Sequence, residues 1–332
     1  MDNDIVLIGF QNPRNCSPVY FSNQLWKVKP GTTIEIPLAL ATGESSTVFR
    51  NELIKLFAIK SIEIVPTDEK SKTMNTSVRI SLTEKPSNNL PYQINFKYIQ
   101  DNAKEYIEHT GLIDPTLLTE SLLPQYFTPE RLNAIDRLKS TGTVVPLDTL
   151  FNISFGQNLA TSNSRVKEAP TVRGRYILSG HISKERFIDD SFSDNLSEIP
   201  FIRSQQSIKT NDIIISAFGG TSPSTSFAMV IAPEPLNTYH THATIKLSPL
   251  SGVDPKFSSL FFALWSTESY RNLYCFTPNV IKSLQISQLG KLPIPTNPEL
   301  LDRAAELVGR LKQADAETKQ VYNKFDSLTS GI

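Results

Sequence analysis

The sequence predicts an α+β protein in four parts: a β-rich N-terminal domain over residues 1–115, a helical connector over 116–143, a mixed α/β domain over 144–292, and a long C-terminal coiled-coil-type helix over 293–332. Three observations carry this expectation. The first part holds short runs that alternate apolar and polar side chains with period two. The third part interleaves short apolar runs with one helix-length segment. The last part repeats apolar side chains at helical spacing.

In the first part, Ile5-Val6-Leu7-Ile8 is a short buried run, and Ile34-Glu35-Ile36, Ile62-Glu63-Ile64, Val78 to Leu82 and Ile94 to Tyr98 alternate as half-buried strands do. Turn-rich stretches such as Lys85-Pro86-Ser87-Asn88-Asn89 separate them. Phe49 to Ile59 reads as one helix. In the connector, Asp114-Pro115 opens a helix-compatible stretch that Pro124 interrupts. Thr128-Pro129-Glu130 then starts a second helix, with Thr128 as N-cap and proline at the first helical position, and Gly142 closes it. In the third part Ile213-Ile214-Ile215 and Met229-Val230-Ile231 read as buried strands around a glycine-containing loop at Gly219-Gly220, and Ser258 to Tyr270 reads as a helix. From Leu300 onward, Leu300, Ala304, Leu307, Leu311, Ala314, Thr318, Val321, Phe325 and Leu328 recur at alternating steps of four and three. Such a narrow seam, on a rod about 44 Å long, calls for another helix to cover it, from this chain or a partner.

Lys plus Arg and Asp plus Glu both number 33 among 332 residues, so the formal net charge is zero. That balance excludes a protein that holds nucleic acid through bulk charge, though not one with a local basic face. Arg165, Lys167, Arg173, Arg175, Lys184 and Arg186 form the densest basic cluster, against Glu168 and Glu185. Lys184 and Arg186 have Asp189 and Asp190 as alternative partners. The two cysteines, Cys16 and Cys275, exclude a disulfide-dense scaffold and a four-cysteine zinc site. Two reduced thiols, no run of about 18 apolar residues and an acidic N-terminus without the basic start of a signal peptide lead to the expectation of a cytoplasmic protein away from the membrane.

Catalytic signatures are sparse. There is no Asn/Asp-Pro-Pro-aromatic loop for gripping a flipped base, no Gly-x-Gly-x-x-Gly, no phosphate-binding Walker loop and no Gly-x-Ser-x-Gly elbow. Asp68-Glu69-Lys70 fits the short acid-x-Lys element of metal-dependent nucleases but sits in a charged turn. His240 and His242 have a spacing that can bind zinc, with His181, Asp254 or Cys275 as a third ligand; two polar residues at a strand start is the simpler reading. The expectation is a non-catalytic binding protein with no cofactor and no metal.

Residues 144–292 resemble a target recognition domain from the specificity subunit of type I restriction–modification systems. The residues that carry the resemblance are Val145 to Leu150 with Ile153-Ser154-Phe155-Gly156, Tyr176 to Ile182, Lys209 to Ser216, the loop at Gly219-Gly220, Pro255 to Trp265, and Ile281 to Leu289 leading into Leu292-Pro293-Ile294-Pro295. Upstream, Leu123 to Glu130 resembles the lead-in to such domains. Each element alone is weak, and their order is specific. Two departures stand out: the family's full members carry two recognition domains and two long helices, where this chain has one of each, and Asn297-Pro298-Glu299-Leu300 replaces the usual Glu-Gln pair. Residues 1–115 match no family.

The resemblance implies a sequence-specific DNA-binding subunit that directs a separate adenine methyltransferase to double-stranded DNA, with a restriction or defence effector and a second copy of the chain as further partners. Arginine and lysine suit phosphate and guanine, and asparagine and glutamine suit adenine. On that basis the expected DNA-binding residues are Gln157, Asn158, Asn163, Arg165, Lys167, Arg173, Arg175, Gln205, Gln206, Lys209, Thr221, Ser222 and Ser224. The apolar seam is the expected partner helix surface. Two alternatives stay open: a non-catalytic scaffold of a phage-defence complex, and a nuclease subunit that uses the N-terminal domain.

Overall fold

The computed structural model describes residues 5–9, 18–65, 77–85, 90–99, 106–156, 171–182, 186–194, 196, 198–202, 207–218, 226–232, 238–274 and 284–329. Asp68-Glu69-Lys70, Cys16, Cys275 and Gly219-Gly220 lie outside them. The chain divides into one unit within residues 1–133 and a second within residues 134–332. Mixed helix and strand content in both agrees with the α+β expectation.

In the first unit the strands are β1 (Ile5–Leu7), β2 (Thr33–Pro37), β3 (Phe57–Val65), β4 (Ser77–Glu84), β5 (Tyr92–Ile99) and β6 (Tyr106–Ile113), in the order β1-β2-β4-β3-β5-β6. The helices are α1 (Pro18–Leu25), α2 (Leu38–Thr42) and α3 (Thr47–Leu56). Alternation sorts the side chains to two faces. Ile34, Ile36, Ile62, Ile64, Val78, Ile80, Leu82, Ile94 and Phe96 are buried in one core with Phe49 and Leu53 of α3. The opposite face is polar, and its charges sit directly across from one another: Glu35 faces Arg79, Arg79 faces Glu63, Glu63 faces Lys97 and Lys97 faces Glu108. The four pairs measure 3.0, 3.8, 3.7 and 3.2 Å. The result is a ladder of alternating sign across five strands.

The helix expected over residues 49–59 ends at Leu56. Phe57, Ala58 and Ile59 pair instead with Glu84, Thr83 and Leu82 of β4, so tertiary pairing of an apolar run overrides its helical reading. Two 3-10 turns at Pro115–Thr119 and Pro124–Phe127 place Leu118, Leu122, Leu123 and Phe127 in the same core. Phe96 stacks between His109 and Phe127, with ring centroids 4.9 and 5.1 Å away.

Arg50 is fully buried and has no carboxylate partner in its hydrogen-bond set. Its guanidinium donates to the carbonyls of Thr119 at 2.7 Å, Leu40 at 3.1 Å and Gly43 at 2.8 Å, and to Thr47 Oγ1 at 3.1 Å. It thus ties the end of α2 and the start of α3 to the 115–119 turn. Burial pulls its pKa down to about 10, which leaves it charged at neutral pH.

Helix α4 (Pro129–Ser140) begins as its sequence dictates: Thr128 Oγ1 accepts from Arg131 N at 3.4 Å, and Pro129 occupies the first turn. In the second unit, β7 (Val144–Pro146) pairs with β16 (Pro293–Pro295), so the two ends of the 144–292 segment meet. Between them lie β8 (Phe151–Phe155), β9 (Thr171–Ile177), β10 (Phe187–Ile188), β11 (Glu198–Ile202), β12 (Ile213–Ser216), β13 (Phe227–Val230), β14 (Thr238–His240) and β15 (Thr244–Pro249). They form a five-stranded sheet ordered β10-β13-β12-β15-β8 and a three-stranded sheet ordered β11-β9-β14. Short helices α5 (Ser179–Ile182) and α6 (Asp190–Asp194) connect strands. Helix α7 (Lys256–Ser266) buries Leu260, Phe261, Phe262 and Trp265; Phe261 meets Phe151 of β8, and Phe262 meets Phe187 of β10 and Phe227 of β13.

The helix expected over 258–270 breaks at Thr267, which caps α8 (Glu268–Arg271) by accepting from Tyr270 N. After α9 (Ile286–Leu289), α10 runs from Pro298 to Thr329. Asn297 Oδ1 caps its start through Glu299 N at 2.9 Å and Leu300 N at 3.4 Å. Within the chain α10 packs on α7 and buries Leu301, Ala304 and Val308. Farther along, the covered side turns charged: Lys319 lies 3.5 Å from Asp315 and 3.9 Å from Asp189. Asp189 therefore has Lys319 as its partner, and its Oδ1 also accepts from Ser191 Oγ and Phe192 N. The expected seam is only partly covered by its own chain, for Leu307 and Val321 are 49% and 50% exposed and Ala314 is exposed as well. Phe325 and Leu328 are helical; their side chains lie outside the described set.

Replacing Arg50 by alanine strands three buried carbonyls and opens a cavity. We expect chemical denaturation to show a loss of about 3–5 kcal/mol, with lysine intermediate because it cannot span the same carbonyls.

Candidate nucleic-acid interface

Most of the expected DNA-binding residues fall on chain segments outside the described residues: Gln157, Asn158, Asn163, Arg165, Lys167, Gln205, Gln206, Thr221, Ser222 and Ser224. The strand ends that lead into them are described. Segment 157–170 leaves β8 at Gly156 and enters β9 at Thr171. Segment 203–206 leaves β11 at Ile202, which stands opposite Thr171. The two segments therefore emerge at one end of the β9–β11 ladder. Segment 219–225 starts beyond Phe218, two residues after Ser216, which pairs with Thr244.

The turn from His240 to Thr244 joins the ends of β8 and β12 to Ile177, the end of β9 opposite to the one that Thr171 and Ile202 share. Gly156 N donates to Thr244 O at 3.3 Å, Ala217 N to Ala243 O at 2.8 Å, and Thr241 N to Ile177 O at 3.3 Å. Thr244 Oγ1 closes the turn on Thr241 O at 2.9 Å. Only glycine fits at position 156. A Cβ there would lie 2.1 Å from His240 O and 2.3 Å from Thr241 O, both rigid backbone atoms.

Of the expected contact residues, Arg173, Arg175 and Lys209 are described. Arg173 is described in its backbone alone, two residues before Arg175 on β9, the central strand of its sheet. Arg175 is half-buried and stands opposite Thr238 of β14. Ile208 N in turn donates to Thr238 O at 2.9 Å, which brings the exposed Lys209 to the chain beside β14. Three consecutive backbones thus place Arg175 and the Lys209 turn on one side of the small sheet.

The histidine pair does not form a metal centre. His240 is buried, with Nδ1 3.4 Å from Thr244 Oγ1, whereas His242 is exposed. Among the described residues no group of three His, Cys, Asp or Glu side chains could hold a metal ion. Burial, reinforced by the nearby Lys246 ammonium, pulls the His240 pKa down to about 4. The imidazole is therefore neutral at physiological pH.

Sequence reasoning passed over two groups beneath this surface, Asp212 and Lys246. Both are buried, Asp212 Oδ2 and Lys246 Nζ are 3.8 Å apart, and Asp212 Oδ2 also accepts from Lys209 N at 2.9 Å. Burial raises the pKa of Asp212 and lowers that of Lys246. The available signal was a lysine inside the apolar run Thr244-Ile245-Lys246-Leu247 and an aspartate abutting Ile213-Ile214-Ile215. Charges that interrupt buried strands are paired or hydrogen-bonded. Asn211, between them in sequence, has φ of 69°, the one positive value at a non-glycine residue among the described residues, and asparagine tolerates that conformation.

No family model matches the sequence, and no curated protein does. Among solved structures, the chain is similar to the type IIL restriction–modification enzyme MmeI in complex with DNA (TM-score 0.41, 10% identity, 82% of this chain and 40% of that one). It is also similar to the type IIG restriction endonuclease BpuSI (TM-score 0.34, 10% identity, 84% and 42%) and to the S subunit of a type I restriction–modification system from M. genitalium (TM-score 0.32, 12% identity, 81% and 90%). The chain thus spans about two fifths of the length of the first two enzymes. Type I specificity subunits, the proteins that residues 144–292 resemble, are among these neighbours. At such scores no residue role is carried over. No described helix is long and apolar enough to cross a membrane.

Two outcomes test this arrangement. Gly156→Ala is expected to lower stability by about 3 kcal/mol or more, read by thermal or chemical unfolding, because backbone must move to admit the methyl group. Unfolding releases His240 from a pKa of about 4 to its ordinary 6.5, so between those values the unfolded chain binds the extra proton. Stability contributed by this group is complete above pH 6.5 and falls as pH drops toward 4, by about 3 kcal/mol over the window. Melting temperatures measured at pH 7 and pH 5 should differ less in His240→Gln than in the parent.

Proposed function

We propose that this chain is a DNA-sequence-reading subunit of a restriction–modification system, and that residues 144–292 direct a separate adenine methyltransferase to its site. The observation that carries the reading is that two loop roots, at Gly156 and Ala217, are fixed on one rigid turn, which also receives the end of β9, the strand that carries Arg175. A scaffold that holds several loops side by side suits the recognition of successive base edges, which needs several side chains fixed relative to one another. Arg175 and Lys209 supply the described cations, and the remaining expected contacts come from Arg173 and from the segments these roots carry. Zero net charge fits the task, since a sequence reader gains nothing from bulk affinity for competing sites.

The open row on α10, formed by Leu300, Leu307, Ala314 and Val321, is the surface we assign to a partner helix, from the methyltransferase or a second copy of this chain. In this reading methyl transfer and any cleavage belong to partner subunits.

Co-purification with the methyltransferase followed by mapping of methylated adenines tests the reading directly. Methylation at one defined sequence that requires this chain is the expected result; unchanged methylation without it would overturn the proposal. With the purified complex, affinity for the mapped duplex should fall steeply as salt rises. Arg175→Ala should then either reduce the log–log salt slope by about 0.9, if it neutralises a phosphate, or cost about 1–3 kcal/mol at one base position, if it reads guanine.

A further inference from the structure

We infer that Lys246 is a positioning residue for DNA recognition: its buried ammonium ties the Ser207–Asp212 turn, which carries Lys209 and follows Gln205 and Gln206, to the five-stranded sheet. The inference rests on the reading of residues 144–292 as the DNA-contacting part.

Lys246 lies in the middle of β15, opposite Ile214 of β12, with apolar Ile245 and Leu247 on either side. A lysine there keeps only a sliver of exposure, so its ammonium turns to acceptors inside the protein. Its Nζ stands 3.5 Å from Ser207 O and 3.8 Å from Asp212 Oδ2. These two acceptors mark the start and end of one turn. Within that turn Asp212 Oδ2 accepts from Lys209 N at 2.9 Å and Asp212 N donates to Lys209 O at 3.0 Å, so the backbone of Lys209 is clamped from both directions. Asn211 holds the reversal with its positive φ, Asn211 N donates to Val230 O at 2.9 Å, and Ser258 Oγ donates to Asn211 O at 2.8 Å.

Lys209 on the turn itself favours the Asp212 carboxylate and opposes the Lys246 ammonium, and buried His240 on β14 faces Lys246 as a neutral ring. Asp212 Oδ1 and Ser248 Oγ each lack a formed hydrogen bond, so the pair is imperfectly compensated. A neutral, well-packed pair would serve stability alone at least as well. What the ionic pair adds is a fixed position for Ser207 O and Asp212, and through them for the backbone of Lys209 between them.

That argument yields a separating experiment. In Asp212→Asn/Lys246→Met both charges are gone, the amide still accepts from Lys209 N, and the methionine fills the volume, but the hold on Ser207 O is lost. The double variant should melt within a few degrees of the parent. In the free chain, hydrogen exchange across residues 207–212 should quicken about tenfold while the β12 and β15 core keeps its protection. In the complex with the methyltransferase, preference for the mapped duplex over a scrambled one should fall about tenfold. Lys246→Arg, which can reach both acceptors, should restore much of both. Parent-like exchange and parent-like discrimination in the double variant would show the pair to be mere charge balance and overturn the inference. Faster exchange throughout the unit would reduce it to general destabilisation. A parent complex that fails to discriminate the duplexes sinks the DNA reading instead, and the exchange measurement still reports whether Lys246 holds the turn.

Discussion

Two backbones meet at Gly156 more closely than any side chain allows, and the recognition unit is organised around that approach. Because the His240 and Thr241 carbonyls occupy the space a Cβ would need, β8 can end against the turn that starts β15. The same turn then receives β12 through Ala217 and β9 through Ile177. Hydrogen bonds to one short piece of main chain thus fix where the chain leaves β8, β12 and β9. Each such bond contributes only about 1 kcal/mol, so their value here is geometric: they set the loop spacing, which the side chains beyond them inherit.

Polar groups are handled differently in the two units. Arg50 in the first is satisfied by carbonyls and holds helix ends and a turn together. In the second, Lys246 inside a sheet pairs with Asp212 at the end of the adjoining turn, and the pair holds that turn next to the expected contact surface. Both arrangements place a buried charge where the chain reverses. In such places helix or sheet bonding leaves carbonyls without partners, and a long cationic side chain can collect them.

Much of this was legible in the sequence. Strict alternation located β2, β4 and β5, because only one face of that sheet is apolar, and Thr128-Pro129 announced the start of α4 through capping chemistry that acts locally. The seam after Leu300 gave α10, but not which of its edges its own chain covers, since Leu301 and Val308 sit beside seam positions and either row reads as helical. Strand β6 was hidden: Tyr106 to Ile113 carries Glu108, His109, Thr110 and Gly111 in its middle and acquires its strand character by pairing with β5. The candidate site was visible as a set of arginines and a succession of motifs. Its structural hub was not, because His240 and Lys246 belong to residue types normally met at surfaces, and burial is a tertiary property.

The charge ladder on the first unit bears on which strand pairing wins. A slip of β3 against β4 by two residues would keep every isoleucine on the buried side, so hydrophobic burial hardly opposes it. The slipped pairing sets Glu63 against Ser77 or Ser81 and Arg79 against Ser61 or Val65, so the direct Glu63–Arg79 opposition is lost. Each exposed pair is worth less than about 1 kcal/mol, and each guards the register of the two strands it spans. Charges that add little to the depth of the native state therefore widen the gap to its nearest misaligned competitor.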